Sequence, residues 1–127
     1  MRIVQQTPKG IEYELVALSY ESWGAQGSRR SVFAHSQVVF RDRNGGTLTA
    51  TAPQAILDEK ANTVTLVNGV HAQTSSGMKL SCDRLVYDRT TQMFHGTGHV
   101  VIVDPNGFHG TGSSFDSDAS LTHMKMR

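Results

Sequence analysis

Asp58, Asp88 and Asp118 stand 30 residues apart, and much of the chain between them keeps one register. Val70 and Val100 share the spacing, with Phe40 in the same place one copy earlier. Gly77 and Gly107 open matching segments, Gly-Met-Lys-Leu-Ser-Cys and Gly-Phe-His-Gly-Thr-Gly. A fixed period of this length marks a chain built by stacking one small unit. The period is also even. Side chains alternate faces along a β-strand, so an even offset returns each repeated residue to the same face. Successive copies can therefore stack column on column.

The columns are apolar where a core needs them. Leu48, Met78 and Phe108 form one, Ala55, Leu85 and Phe115 a second, Val64, Phe94 and Met124 a third, and Phe40, Val70 and Val100 a fourth. Smaller residues fill others: Ala50 with Leu80 and Gly110, then Ala52 with Cys82 and Gly112. Leu66, Gly96 and Met126 mix the two kinds. Ordinary core packing accounts for any one column; the small residues make the set as a whole less ordinary.

Turn signals recur about every fifteen residues, half the repeat: Asp42–Gly46, Asp58–Asn62, Thr74–Gly77, Asp88–Thr91, Asp104–Gly107 and Asp118–Ser120. Asn, Asp, Gly and Pro mark turns because they accept the required angles or hydrogen-bond locally. The runs between them, including Thr63–Gln73, Met78–Tyr87 and Gln92–Val103, are rich in β-formers. Each unit thus reads as two strands and two turns of an antiparallel meander. The apolar phase moves from even positions at Met78, Leu80 and Cys82 to odd ones at Leu85 and Tyr87, which predicts a bulge or bend at Asp83-Arg84. The first 40 residues are less regular. There Ile11–Tyr20 and Ser31–Phe40 read as strands, and Trp23, in the connection, as a plug of the core or its end.

At 127 residues the chain reads as one domain, 1–127, able to build a core without staples. Lys and Arg number 12 against 11 Asp and Glu, interspersed, which points to neither a nucleic-acid surface nor a polybasic membrane patch. The single cysteine, Cys82, excludes an intrachain disulfide and any multi-cysteine zinc site. Apolar stretches are short, such as Val100–Val103, and Met1–Gly10 shows no signal peptide. The expectation is a cytoplasmic chain or one whose N-terminal signal or anchor lies outside this sequence.

Catalytic chemistry finds little support. His95, His99 and His109 could approach one another across strands, but no His-x-His occurs and no glutamate follows Glu59. Gly96-Thr-Gly98 and Gly110-Thr-Gly112 lie in strand-like runs and do not open a helix, as a phosphate loop would. No Gly-x-Ser-x-Gly elbow is present. The regular aspartates suit turns. The chain reads as a non-enzyme with no cofactor and no metal.

Three segments carry a family resemblance: Gly77–Asp88 (Gly-Met-Lys-Leu-Ser-Cys-Asp-Arg-Leu-Val-Tyr-Asp), Phe94–Ile102 (Phe-His-Gly-Thr-Gly-His-Val-Val-Ile) and Asn106–Gly112 (Asn-Gly-Phe-His-Gly-Thr-Gly). In order and spacing they resemble the OstA-like repeats of lipopolysaccharide transport, most of all the LptC family. Val67–Val70 and Leu121–Met126 fit the same pattern, so the match runs over about Val38–Met126, with residues 1–37 less clear. The resemblance implies an all-β, OstA-like twisted, V-shaped β-jellyroll of stacked antiparallel strands. It implies a periplasmic bridge that takes lipopolysaccharide or a related lipid from an inner-membrane ABC transporter complex and passes it to another OstA-like jellyroll. Members usually begin with a membrane-spanning helix, which would tether the domain to the inner membrane.

On that reading Leu48, Val64, Val70, Met78, Leu80, Phe94, Val100, Ile102, Phe108 and Phe115 line an apolar interior. Ala50, Ala52, Gly96, Gly110 and Gly112 leave room for acyl chains. Leu121, Met124 and Met126 lie on an edge strand that pairs with the next protein, with His123 and Lys125 facing outward. The alternative is a structural module of the envelope with a sealed core and no lipid cargo. An open groove and a filled core separate the two.

Overall fold

The computed structural model describes residues 2–7, 10–25, 28–41, 46–91, 93–117 and 124–126. Ten strands follow one another: β1 (Arg2–Thr7), β2 (Gly10–Val16), β3 (Ser19–Trp23), β4 (Arg30–Arg41), β5 (Thr47–Asp58), β6 (Thr63–Thr74), β7 (Lys79–Asp88), β8 (Met93–Val103), β9 (His109–Ser117) and β10 (Met124–Met126). They make a single sheet in the order β1-β2-β4-β5-β6-β7-β8-β9-β10, with β3 beside β4. Every pairing is antiparallel. The chain is an all-β meander, as the half-repeat spacing predicts.

The predicted turns fall at residues 59–62, 75–78, 89–91 and 104–108, between the long strands. Aspartates work there as local acceptors: Asp58 Oδ1 takes the Ala61 N–H (3.0 Å) and Asp88 Oδ1 the Thr90 N–H (2.9 Å). Asp104 Oδ1 takes both Asn106 N–H and Phe108 N–H, each at 2.9 Å. The turn expected near residue 44 and the one at Asp118–Ser120 lie outside the described residues.

A seam crosses the middle of the long strands. The register shifts there between β5 and β6, β6 and β7, β7 and β8, and β8 and β9. At two places, one repeat apart, consecutive residues take left-handed angles: Asn68 and Gly69 (φ 71° and 99°), then Gly98 and His99 (φ 81° and 48°). His35 (φ 52°) does the same in β4. Left-handed residues set beside an unshifted strand make bulges, which bend a sheet and re-aim its side chains. The phase change predicted at Asp83-Arg84 is one step of this seam, since Cys82 and Leu85 are buried and the two residues between are exposed.

Bending at the seam gives each long strand two halves, in two leaves. We call leaf 1 the part holding Ser36–Arg41, Thr47–Ala52, Val70–Thr74, Lys79–Cys82, Val100–Val103 and His109–Gly112. Leaf 2 holds the other halves. Their inner faces meet: Phe40 of leaf 1 lies 4.8 Å, ring to ring, from both Tyr87 and Phe94 of leaf 2. Strands that pass from one packed layer to the other through bulges are a known way to turn a sheet corner. The core is the space between the leaves, and burying apolar surface there holds the fold together.

The N-terminal part departs from its predicted outline. The run expected as one strand over Ile11–Tyr20 is split at Ala17-Leu18 into β2 and β3, and a further strand, β1, precedes them. The split arises because β4 is shared: β2 pairs with Gln37–Phe40 and β3 with Arg30–Ala34, either side of the seam. Trp23 is not a plug. It is 52% exposed on β3, an edge strand with no second neighbour among the described residues to cover it.

Candidate functional site

Alternation and the seam together decide which side chains enter the space between the leaves. On β5, Leu48, Ala50 and Ala52 point in before the seam and Ala55 after it; β7 repeats this with Leu80 and Cys82, then Leu85 and Tyr87. Of the residues expected to line an interior, Leu48, Val64, Val70, Leu80, Phe94, Val100, Ile102 and Phe115 are buried, as are Ala50 and Ala52. Met78 is partly buried and packs against that core. Gly96 is buried, and Gly110 and Gly112 are half-buried.

Phe108 does not join them. It is 74% exposed, although it shares a column with the fully buried Leu48. Leu48 sits inside β5 with β4 and β6 on either side, whereas Phe108 precedes β9 in the turn closed by Asp104. The leaf 1 half of β9 has β8 on one side and no strand on the other among the described residues, so nothing covers that ring.

The small residues give less room than their size suggests. A side chain on Gly96 would run straight into the ring of Phe115, its cross-strand neighbour. The absent Cβ is therefore filled by an aromatic face. Phe40, Tyr87 and Phe94 close the middle, where Tyr13 packs 6.0 Å from Phe40. Among the described residues these side chains form one packed, largely apolar core.

One cleft reaches toward this core between the leaves. Its volume is about 410 Å³, and Tyr13, Tyr20, Phe33 and Leu57 form its apolar part. Arg89, at the rim, stands 5.8 Å from the centre of the Tyr13 ring and donates to Asn62 Oδ1 at 3.0 Å. Sequence reasoning missed this place because Tyr13, Tyr20 and Phe33 lie in the part without repeat copies. The alternation of Phe33 and Phe40 about the seam was the only available sign. A larger concavity, about 660 Å³, lies on the outer face of leaf 1 among threonines of β5 and residues of β6 to β8. It faces away from the core.

His95 and His99 each meet one carboxylate. His99 Nδ1 lies 2.8 Å from Asp83 Oδ2 across the seam, and His95 pairs with Asp116 on the outer face. The Asp83 hydrogen bond and then its charge raise the His99 pKa above the ordinary 6.5. No group of three metal-capable side chains occurs among the described residues. The Cys82 thiol is pushed up to about 11, first by burial and then by the charge of Asp83, so it stays protonated and hydrogen-bonds to the Arg84 carbonyl.

The C-terminal edge has the expected order. β10 is the last strand and pairs with β9, in a register that sets Met124 beside Ser117 and Met126 beside Phe115. Ser117 in turn pairs with Phe94, and Phe115 with Gly96, so the columns continue to the edge. Leu121 and His123 lie outside the described residues.

The model of a family described as lipopolysaccharide-assembly, LptC-related, matches residues 2–126. No curated protein matches the sequence. Among solved structures, the chain is similar to LptH of Pseudomonas aeruginosa, described as the LptA-homologous periplasmic component of the conserved lipopolysaccharide transport device. Identity is 16%, the TM-score is 0.67, and the match covers 90% of this chain and 80% of that one. The likeness is one of fold.

Proposed function

This chain belongs to the LptC-related family of lipopolysaccharide assembly, whose members are transport bridges rather than enzymes, and we propose that it carries the lipid across the periplasm. Acyl chains would lie between the two leaves. The protein would accept the lipid from an inner-membrane ABC transporter complex and pass it, chemically unaltered, to another jellyroll docked along an edge strand. An N-terminal membrane tether would place it beside that transporter. Any ATP would be hydrolysed by the partner.

The observation that carries this reading is the sheet folded over a predominantly apolar interior, with β1 and β10 as its end strands among the described residues. Each methylene moved from water into such a space is worth about 0.8 kcal/mol, so acyl chains need no specific polar site. Because the interior is packed, the leaves must part to admit them, and chain contacts then replace contacts between side chains. At the far end, β10 has β9 as its one neighbour among the described residues, and a second jellyroll could add to its other side.

Photocrosslinkers placed at Val70 and Ile102 in cells test the cargo. Lipopolysaccharide adducts at these positions are expected; their absence at every interior position would overturn the carrier reading. Proline at Met124 tests the edge, with weaker capture of the next transport protein expected from a domain that still folds. Leucine at Gly110 or Gly112 should reduce lipid binding more than stability.

The packed contacts of Phe40, Tyr87 and Phe94 favour a second reading, a sealed structural module of the envelope. It predicts no adduct at any interior position.

A further inference from the structure

An asparagine carboxamide is most open to attack by the next main-chain nitrogen when that nitrogen belongs to glycine, which has no side chain to hinder ring closure. The sequence holds three such pairs, Asn44-Gly45, Asn68-Gly69 and Asn106-Gly107. The first lies outside the described residues, and the other two stand in very different places.

Asn68 and Gly69 lie within β6, which has β5 and β7 on its two sides. Both take left-handed angles in the seam, and the Asn68 carboxamide donates to Gln54 Oε1 at 3.3 Å. Closing a ring there would swing the backbone of a central strand. Asn106 and Gly107 belong instead to the turn between β8 and β9, where residues 105–108 are all exposed. The Asn106 carboxamide has no hydrogen bond among the described residues. No atom crowds the position that a Cβ would take on Gly107. The Gly107 N–H donates to the Asp104 carbonyl at 3.0 Å, and that contact must break before the nitrogen can attack.

The same turn stands one repeat earlier without the reactive amide. There the Gly77 N–H donates to the Thr74 carbonyl at 3.1 Å, and Thr74 Oγ1 takes the Met78 N–H at 3.0 Å. Gly77 and Gly107 are both left-handed, with φ 97° and 89°. Ser76 holds the place of Asn106. Serine thus fits this turn, which does not need asparagine to form.

We propose that Asn106 is a deamidation site of the folded protein, through which the β8–β9 turn passes to an isoaspartyl form. The Gly107 nitrogen gives its proton to a solvent base and bonds to Asn106 Cγ. The Cγ–Nδ2 bond breaks, and ammonia leaves with a proton from water. Water then opens the cyclic imide. Cleavage of its nitrogen–Cγ bond gives aspartate, and cleavage at the Asn106 main-chain carbonyl carbon gives isoaspartate. No oxidant or reductant takes part. In the parent turn Asp104 Oδ1 accepts both the Asn106 and the Phe108 N–H. The isoaspartyl link puts one more main-chain carbon between those donors and a carboxylate beside Asp104. One oxygen can then no longer hold both, and the start of β9 loosens.

Peptide mapping by mass spectrometry, on purified protein kept in warm, mildly alkaline buffer, reads the conversion at each pair. Asn106 should convert about tenfold faster than Asn68, since an exposed turn opens more readily than a strand paired on both sides. An isoaspartyl methyltransferase should label its peptide. In urea, which removes the fold, the two should convert at similar rates. Equal native rates, or faster conversion at Asn68, would overturn the assignment. Asn106→Ser should abolish labelling of that peptide and keep the parent's unfolding midpoint. Hydrogen exchange tests the consequence: amides of residues 109–112 should exchange faster in the aged parent and not in aged Asn106→Ser. Unchanged exchange in a fully converted parent would overturn the loosening of β9.

Discussion

The central strands and the N-terminal fork are built from similar residues and behave differently. In β5 to β8 an aromatic or branched side chain that points inward is sealed, as Leu48, Phe94 and Val100 are. In the fork, Tyr20 points toward the same core from β3 and stays half-exposed, and Leu18 and Trp23 are more exposed still. The difference is one of neighbours. A central strand is flanked on both sides and faced by the opposite leaf, whereas β3 has β4 alone. Burial here depends on a residue's place in the stack more than on its own hydrophobicity.

The largest expected effect sharpens that contrast. Phe94→Ala removes a fully buried ring from between Phe40 and Tyr87 and should cost about 3–5 kcal/mol in urea unfolding. Tyr20→Ala, losing one stacked contact at an edge, should cost only about 0.5–1.5 kcal/mol. Equal losses would break the comparison.

Glycines of the seam and the core come next. Gly98→Ala brings a Cβ onto Asp83 at a left-handed φ and should destabilise by about 1–3 kcal/mol. Gly69→Ala has the same kind of backbone angle and open space around it, so about 1 kcal/mol of backbone strain is expected alone. A larger loss at Gly69 than at Gly98 would mean that the Asp83 contact is not what limits the seam.

Cys82 gives a chemical test of central burial. With its thiol raised to about 11 and its side chain enclosed, alkylation by iodoacetamide at neutral pH should be very slow in the folded protein and rapid in urea. Ready labelling of the native state would show that the leaves part far more often than a packed core allows.

The smallest effect concerns His99. Its folded pKa is raised by Asp83, so protonated His99 favours the folded state. That stability is fully present below the unfolded pKa and fades as pH rises through the folded value. An NMR titration should place His99 above 6.5, and Asp83→Asn should move it back. Because the pair is solvent-exposed, the change in unfolding midpoint should be slight.

The repeat was legible because it is a property of the chain. Even spacing of Val64 with Phe94 and of Ala55 with Leu85 and Phe115 fixes which side chains share a face, and the turn aspartates fix where strands end. One step of the seam also showed, at Asp83-Arg84, because a bulge leaves a phase change in the apolar pattern. The aromatic cleft was not legible, since Tyr13, Tyr20 and Phe33 have no repeat copies with which to align.

The sequence by itself determined an antiparallel stack with a repeating apolar face, because alternation and turn chemistry act over a few residues. Tertiary structure alone decided that β4 serves two partners, that Phe40 meets Tyr87 and Phe94 across the leaves, and that Phe108 and Trp23 lie outside. These depend on which surfaces a twisted and bent sheet brings together and on where its neighbours run out. Such contacts join residues far apart in the chain, and no local pattern carries them.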